Sequence, residues 1–426
     1  MRRTLVAVSA TFLASSLAAC GGGDGGDGEP SGYQRADVEF RQVALGDAPD
    51  VQAVVDASDA FGLDLLAAAD PAENLVISPA SAVIALAMLG EGATNVGAEE
   101  LDALLGSSGD ARTEAVNALA GVLAAYDGDP GSVDDEDLPE SPLVHVANNV
   151  VLDDQADVTA AYLARLAEFY DAGVQVADLG SDAGTKVLDV WVREHTGGRI
   201  EKSAITPSGD LRLVLQDAVL LAARWQQEFD PGATREGEFT TADRGVQPVD
   251  LMTTLQPLAY AESDGWQAVE LPYRDGFAVA RLVLPPEGED PAAIPATTLA
   301  ALEDGLQRAG TLQVQLSLPR FEVDSTTNLT EVLKALGVQA IFDPGAGALE
   351  GIGPGQELHV GQAVQQATIT VGEQGTVAAA VTEIGVAGTA APVVDVVFVA
   401  DRPFLMVVEE ATTGWDLFQT VVRTFD

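Results

Sequence analysis

Side chains capable of covalent chemistry are few in this chain, and their spacing excludes most of it. Only three histidines occur in 426 residues, His145, His195 and His359. No Gly-x-Ser-x-Gly run sets a serine on the sharp strand-to-helix turn that a hydrolase nucleophile needs. No His-Glu-x-x-His pair and no cysteine cluster offers zinc a ligand set. Gly351-Ile-Gly353-Pro-Gly355 lacks the third glycine of a dinucleotide loop at the right spacing, and Pro354 would break the helix entry such a loop requires. Paired acids such as Asp134-Asp135 lack calcium-loop spacing and read as a solvated loop. An enzyme is therefore poorly supported, and no metal or cofactor is expected.

Two stretches remain. The first is Val371–Val394, VGEQGTVAAAVTEIGVAGTAAPVV, in which the only charge beyond Gln374 is Glu383. It holds nothing large enough to anchor a core, yet it joins strand-like Ala363–Val371 to strand-like Val396–Val408. A long uncharged loop tied between two strands reads as a working part. The second is Met1–Cys20, where Arg2 and Arg3 precede the apolar run Thr4–Ala19, which is too short for an ordinary membrane helix. Its end, Leu17-Ala18-Ala19-Cys20, resembles the bacterial lipoprotein signal, and Cys20 is the only cysteine in the chain. That resemblance implies a signal peptide over 1–19, lipid on Cys20 and an exported, membrane-anchored protein. Gly21 after the cysteine favours the outer membrane, and a free extracellular form is the other outcome. Gly21–Ser31, GGGDGGDGEPS, has the composition of a flexible tether. The tether is taken to run over 20–45 and the folded domain over 46–426.

Acidic residues outnumber basic ones 66 to 21, for a net charge of −45. That balance argues against nucleic acid and anionic lipid as partners. Helical periodicity runs through Val51–Ala69, Ala82–Gly90, Glu114–Tyr126, Val158–Tyr170 and Thr185–Glu194. Strand-like runs dominate later, at Leu211–Ala222, Gly237–Thr241, Val246–Met252, Leu258–Glu262, Trp266–Leu271, Ala278–Leu284 and Thr311–Leu318. Helices first and strands later in one continuous core point to α+β, a single large domain.

An ordered series of short motifs from about residue 45 to the end resembles the serpin family. Asn74-Leu-Val-Ile-Ser78-Pro79-Ala-Ser81, Ala147-Asn148, Trp191-Val192 with Thr196-Gly-Gly198, and Trp225 with Phe229-Asp230-Pro231 follow its pattern. Glu270-Leu-Pro-Tyr273, Leu318-Pro319-Arg320-Phe321 and Phe398-Val-Ala-Asp401-Arg-Pro403-Phe404 continue it. The resemblance implies helices packed around a large central mixed β-sheet, smaller sheets, and an exposed reactive-centre loop, here about 373–394. It also implies a monomer that traps a serine protease. The protease forms an acyl-enzyme at the bait bond, and the cut loop then enters the sheet as an extra strand. A non-inhibitory member acting as a binding or structural lipoprotein is the alternative.

The implied hinge is Glu373, Gly375, Thr376, Ala378, Ala379, Ala380 and Thr382. Gly375 suits a pivot because it tolerates dihedrals other residues avoid. Alternate residues from Thr376, namely Ala378, Ala380, Thr382, Ile384 and Val386, are small or apolar, as an inward strand face requires. Val377, Ala379, Val381 and Glu383 form the other face, which puts the one charge where it can stay wet. Fourteen residues beyond Gly375, the family spacing gives Thr389–Ala390 as the reactive bond. Val386, Ala387 and Gly388 before it favour elastase-like or subtilisin-like proteases. By family position Ser78, Ser81, Asp217 and Gln365 form the shutter beneath the sheet, with Asp217 and Gln365 standing where an Asn and a His are common. Gln365 is expected to donate to Asp217, Ser78 and Ser81 to supply further donors, and Ser81 to cap the helix. Trp225, Arg320 and Glu373 form the breach, where a partly exposed Arg320–Glu373 pair is expected to latch the loop out for about 1 kcal/mol at most.

Overall fold

The computed structural model describes residues 32–134, 137–376 and 393–425. The strand β1 (Tyr33–Gln34) and helix α1 (Val51–Ala67) come first. The strand β2 (Leu75–Ile77) and helices α2 (Pro79–Gly90), α3 (Asn95–Leu104) and α4 (Gly109–Ala124) follow. Next are β3 (Leu143–Asp153), α5 (Ala160–Tyr170), β4 (Val174–Ala177), α6 (Asp182–His195) and β5 (Leu213–Arg224). Then come β6 (Arg235–Thr240), β7 (Val246–Ser263), β8 (Trp266–Pro272), β9 (Ala278–Leu284), α7 (Ala296–Arg308), β10 (Leu312–Pro319) and β11 (Phe321–Asn328). The last elements are α8 (Leu329–Ala335), β12 (Val360–Val371), β13 (Gly375–Thr376), β14 (Val396–Val399), β15 (Phe404–Glu410) and β16 (Asp416–Val422).

These strands form two sheets among the described residues. The seven-stranded sheet has the order β1-β4-β3-β5-β13-β12-β11, with β5 and β12 also paired directly. The nine-stranded sheet runs β14-β10-β7-β8-β9-β15-β16-β2, with β6 on β7. The smaller sheets expected from the sequence are thus joined through β7, whose 18 residues serve both parts. The sequence predicts two strands here, Val246–Met252 and Leu258–Glu262, because strict alternation of buried residues lapses over Thr253–Pro257.

The fold takes in chain that the sequence reading assigned to the tether. Tyr33–Gln34 pair with β4, and the Val43 N–H donates to Asn117 Oδ1 at 2.7 Å. The boundary near 45 is therefore too late by about a dozen residues. A two-residue strand carries no periodicity, so nothing in the sequence marks it.

The core lies between the two sheets and is filled from inside by α2. That helix carries no charge and is buried along its whole length, as an all-apolar helix must be. Its start differs from the expectation. Ser78, not Ser81, is the N-cap: its Oγ accepts from the Ser81 N–H at 3.3 Å, and Pro79 takes the first helical position, where no N–H is needed. The cap leaves the Ser81 hydroxyl free to face the sheet. Strand β5 is buried at every residue, because α2 covers one face and α6 with the following chain covers the other.

Candidate functional site

Two strands define the site. Strands β5 and β12 run parallel and pair from Val360 opposite Leu213, through one irregularity at Gly361, in continuous register from Gln362 opposite Val214 to Ala367 opposite Val219. Above that level they part. The chain leaves β12 at Val371, turns at Gly372–Gln374, and re-enters as β13. There Gly375 pairs with Arg224 and Thr376 with Ala223 of β5, while Thr376 pairs with Val371 of β12. Two hinge residues already occupy a strand position between β5 and β12.

Each contact at this point has a local cause. The Trp225 N–H donates to the Gln374 carbonyl at 2.8 Å, and its indole Nε1 donates to the Gly372 carbonyl at 2.9 Å. The Phe229 N–H donates to the Glu373 carbonyl at 2.9 Å, so the turn's backbone is held from the β5 side. Trp225 stacks on Tyr273, with ring centroids 4.5 Å apart, and the Tyr273 hydroxyl is hydrogen-bonded to Thr376 Oγ1. Burial pushes the Tyr273 phenol above its ordinary range, so it stays protonated. Gly375 is needed for space and not for its dihedral freedom. Its φ is not in the left-handed region, but a Cβ there would lie 2.0 Å from the Ala223 carbonyl oxygen.

The Arg320–Glu373 pair differs from expectation. The Glu373 side chain is only 4% exposed, against 39% for Arg320. Arg320 Nε donates to both carboxylate oxygens at 2.8 Å, Nη2 adds a further bond, and the Thr234 hydroxyl donates at 2.6 Å. Burial pushes the Glu373 carboxyl up, but the Arg320 and Thr234 hydrogen bonds outweigh it and hold the group below the usual carboxylate range. Glu373 sits in the turn itself. The pair therefore fixes the turn that feeds Gly375–Thr376 between the strands and does not hold these residues out.

Below the hinge, at the directly paired level, Gln365 of β12 lies opposite Asp217 of β5. Gln365 Nε2 donates to Asp217 Oδ2 at 3.3 Å, as the sequence reading expected. The same amide grips the Ser78 backbone at two points, accepting from its N–H at 2.8 Å and donating to its carbonyl at 2.8 Å. The Ser81 hydroxyl donates to Asp217 Oδ1 at 2.6 Å, whereas the Ser78 hydroxyl serves the cap and does not reach Asp217. Burial pushes the Asp217 carboxyl up to about 7, and the bonds from Ser81 and Gln365 offset this only in part.

Comparison with known proteins decides what this arrangement belongs to. Residues 56–424 match the family described as Serpin (serine protease inhibitor). The chain belongs to the serpin family. It is 30% identical over 363 residues to Serpin-Z1C of Triticum aestivum, covering 82% of this chain and 89% of that one. It is 28% identical over 384 residues to the leukocyte elastase inhibitor of Bos taurus, covering 85% and 97%. Among solved structures, the native state of the thermophilic serpin tengpin superposes with a TM-score of 0.78 at 22% identity, over 92% of this chain and 100% of that one.

The family is one of serine protease inhibitors, which places the chain among protease inhibitors in general. The structure brings Trp225, Arg320, Glu373, Gly375 and Thr376 together at the top of the β5–β12 junction. Ser78, Ser81, Asp217 and Gln365 meet beneath it. Ala378, Ala379, Ala380, Thr382, the specificity residues Val386, Ala387 and Gly388, the bond Thr389–Ala390, and Cys20 lie outside the described residues. Two contributors carry no role in the sequence analysis, Thr234 and Tyr273. Their signal was weak because a hydroxyl pointing at a turn has no spacing signature in sequence.

Proposed function

We propose that this serpin presents Thr389–Ala390 as bait to a serine protease and, once cut, draws the loop between β5 and β12. One observation carries the reading: Gly375 and Thr376 already sit as a strand between β5 and β12, directly above a level where those strands pair with each other. Continuing that register would place Ala378 opposite Leu221, Ala380 opposite Val219, Thr382 opposite Asp217, Ile384 opposite Leu215 and Val386 opposite Leu213. All five partners face the α2 side of the sheet, and every entering side chain on that face is uncharged. Thr382 would fall between Asp217 and Gln365, where its hydroxyl replaces the direct Gln365–Asp217 bond.

The same register changes the reading of Glu383. It would fall between Gln216 and Val364, on the face that α6 covers. Gln216 is 3% exposed, and Val364 packs in one cluster with Leu188 and Ile205. That face is dry at this level, so insertion past Thr382 must carry a carboxylate beneath α6 or displace what covers it.

Thr389 at the bond, after Val386-Ala387-Gly388, fits a small apolar specificity pocket and supports an elastase-like or subtilisin-like target. One relative above carries an elastase inhibitor's name, which agrees with that class. The test is incubation with elastase-like and subtilisin-like proteases, followed by a denaturing gel. An adduct that survives denaturation is expected. Thr376→Arg should abolish it while cleavage continues, because Thr376 is fully buried between the strands. Cleavage near Thr389 without an adduct at every protease would refute trapping.

Export and lipid attachment at Cys20 belong to the same proposal and rest on Leu17-Ala18-Ala19-Cys20 and the Gly-rich stretch after it. Incorporation of labelled palmitate that Cys20→Ser abolishes would support anchoring at the cell envelope. Equal labelling of the two proteins would refute it.

A further inference from the structure

Two of the three histidines in the chain meet where β3 passes the end of α6. His145 stands on β3, and His195 is the final residue of α6. Fifty residues separate them, so no spacing motif shows the pair. Their rings are nearly parallel, 4° apart in plane, with centroids 5.2 Å apart. His145 Nε2 lies only 2.9 Å from His195 Nδ1, so the contact runs nitrogen to nitrogen. On the far side of its ring, His145 Nδ1 is 2.7 Å from Asp127 Oδ1, in the chain after α4. Trp191, one turn back on α6, packs on the His195 ring with centroids 4.6 Å apart. The side chain of His145 is 15% exposed and that of Asp127 55%, so the group opens to solvent on the Asp127 side.

The hydrogen-bond chain fixes the protons. A carboxylate only accepts, so the hydrogen of neutral His145 sits on Nδ1 and its Nε2 keeps a lone pair. That lone pair accepts from the His195 Nδ1–H. Burial first, and then the charge of His145, push the His195 imidazole down to about 4, so it is neutral at pH 7. Neutral imidazole is the form that binds a transition-metal ion, and a metal-binding imidazole is ordinarily oriented by giving its other N–H to a carboxylate or carbonyl, as His145 does to Asp127. The spacing fits as well. Two nitrogens each about 2.0–2.1 Å from one ion, at right angles about it, lie about 2.9 Å apart. The pair can share an ion without β3 and α6 separating: each ring turns until both lone pairs meet beside the present bond, and the His195 proton moves from Nδ1 to Nε2. Among the described residues no group of three His, Cys, Asp or Glu side chains could hold a metal, so water completes the coordination. Two imidazoles at right angles with open positions suit Cu(II) or Ni(II), whereas a closed structural zinc site takes four protein ligands.

We propose that His145 and His195 form a two-imidazole site for a divalent copper or nickel ion, with Asp127 as the positioning residue behind His145. The bound ion ties β3 to the end of α6. The net charge of −45 draws divalent cations toward the surface from which the site is reached. The site is separate from the bait loop and does not depend on the insertion reading. The third histidine, His359, meets the Glu357 carbonyl at 3.2 Å and takes no part.

The test titrates Ni(II) into the full-length protein at pH 7 and follows tryptophan fluorescence and the unfolding temperature; Ni(II) is chosen because it does not oxidise Cys20. A single saturable phase in the micromolar range is expected, with a rise in unfolding temperature, because the ion binds the folded state. His145→Gln and His195→Gln should each weaken binding more than roughly tenfold, and Asp127→Asn roughly tenfold through loss of the orienting carboxylate. His359→Gln should bind as wild type does. Lowering the pH to 5 should weaken binding to wild type, because protons compete for both imidazoles. A purely structural role for these residues would lower the unfolding temperature of the metal-free variants and leave their Ni(II) affinity unchanged. Asp127 is largely exposed, so its variant keeps the test open should a histidine variant fold poorly. No saturable response in wild type, or equal affinity in wild type and both histidine variants, would overturn the site. Unchanged affinity in Asp127→Asn would overturn the positioning role.

Discussion

Asp217→Asn isolates the charge beneath the hinge, where Ser81, Asp217 and Gln365 meet. Burial raises the Asp217 carboxyl from an ordinary 3.8 to about 7, with Ser81 and Gln365 opposing. A carboxyl whose native value lies above its unfolded value favours folding fully only below about pH 4, and that contribution fades as pH rises through about 7. Integrated over those two values, the loss is about 1.5 kcal/mol by pH 5 and about 4 kcal/mol by pH 8.5. Between pH 5 and 8.5, Asp217 therefore costs the wild-type fold about 3 kcal/mol, or about 4 °C of unfolding temperature for a chain of this size. Asparagine keeps the shape, and its amide can accept from Gln365 and donate to the Ser81 hydroxyl, so no partner is left bare. The assay is thermal unfolding of both proteins across pH 5–8.5, reading the difference between them so that other titrating groups cancel. The variant should overtake wild type progressively as pH rises and also insert its cut loop at a changed rate, with the same proteases recognised. Parallel pH profiles would mean that Asp217 ionises in the native state without penalty, and the argument from its burial would fail.

Three further outcomes are expected. Gly375→Ala forces a Cβ against the Ala223 carbonyl, so the hinge pair should leave its slot at a cost of about 1–3 kcal/mol; unchanged hydrogen exchange at residues 371–376 would contradict this. Arg320→Ala leaves Glu373 buried with the Thr234 hydroxyl and a backbone N–H but no cation, and should destabilise by about 1–3 kcal/mol at pH 7. Because that carboxyl is held below its usual range, the loss should shrink as pH falls below about 4, and a loss independent of pH would count against the pair. Glu383→Gln removes the one charge that insertion carries beneath α6, so the cleaved variant should unfold at a higher temperature than cleaved wild type, most clearly at pH 8; equal temperatures would mean that Glu383 finds water or a partner there.

Much of the architecture was legible in the chain. Helix α1, the apolar α2, and strands β3, β5, β8 and β9 announce themselves through periodicity or unbroken apolar runs. Strand β11 does not, because its second half, Ser325-Thr-Thr-Asn328, is polar. Strand β16 was missed as well: it is buried at every residue, so its seven residues show no alternation. The order of family motifs identified the fold, and the small uncharged residues after Gly375 identified the stretch able to become a strand.

Which residues meet is legible along the chain, since strand parity and motif order are one-dimensional properties. The family resemblance places Glu373 with Arg320, and Gln365 with Asp217. The job each residue does there emerges only once the chain is folded. Ser78 caps and Ser81 reaches Asp217, because the helix begins three residues earlier than its apolar run suggests. Glu373 is buried, and its pair braces a turn whose hinge residues are already between the strands. The outer face of the β5–β12 junction is dry because α6 and residues 202–206 lie across it. Burial and hydrogen-bond direction depend on what another part of the chain lays over a residue, and no local pattern carries that information.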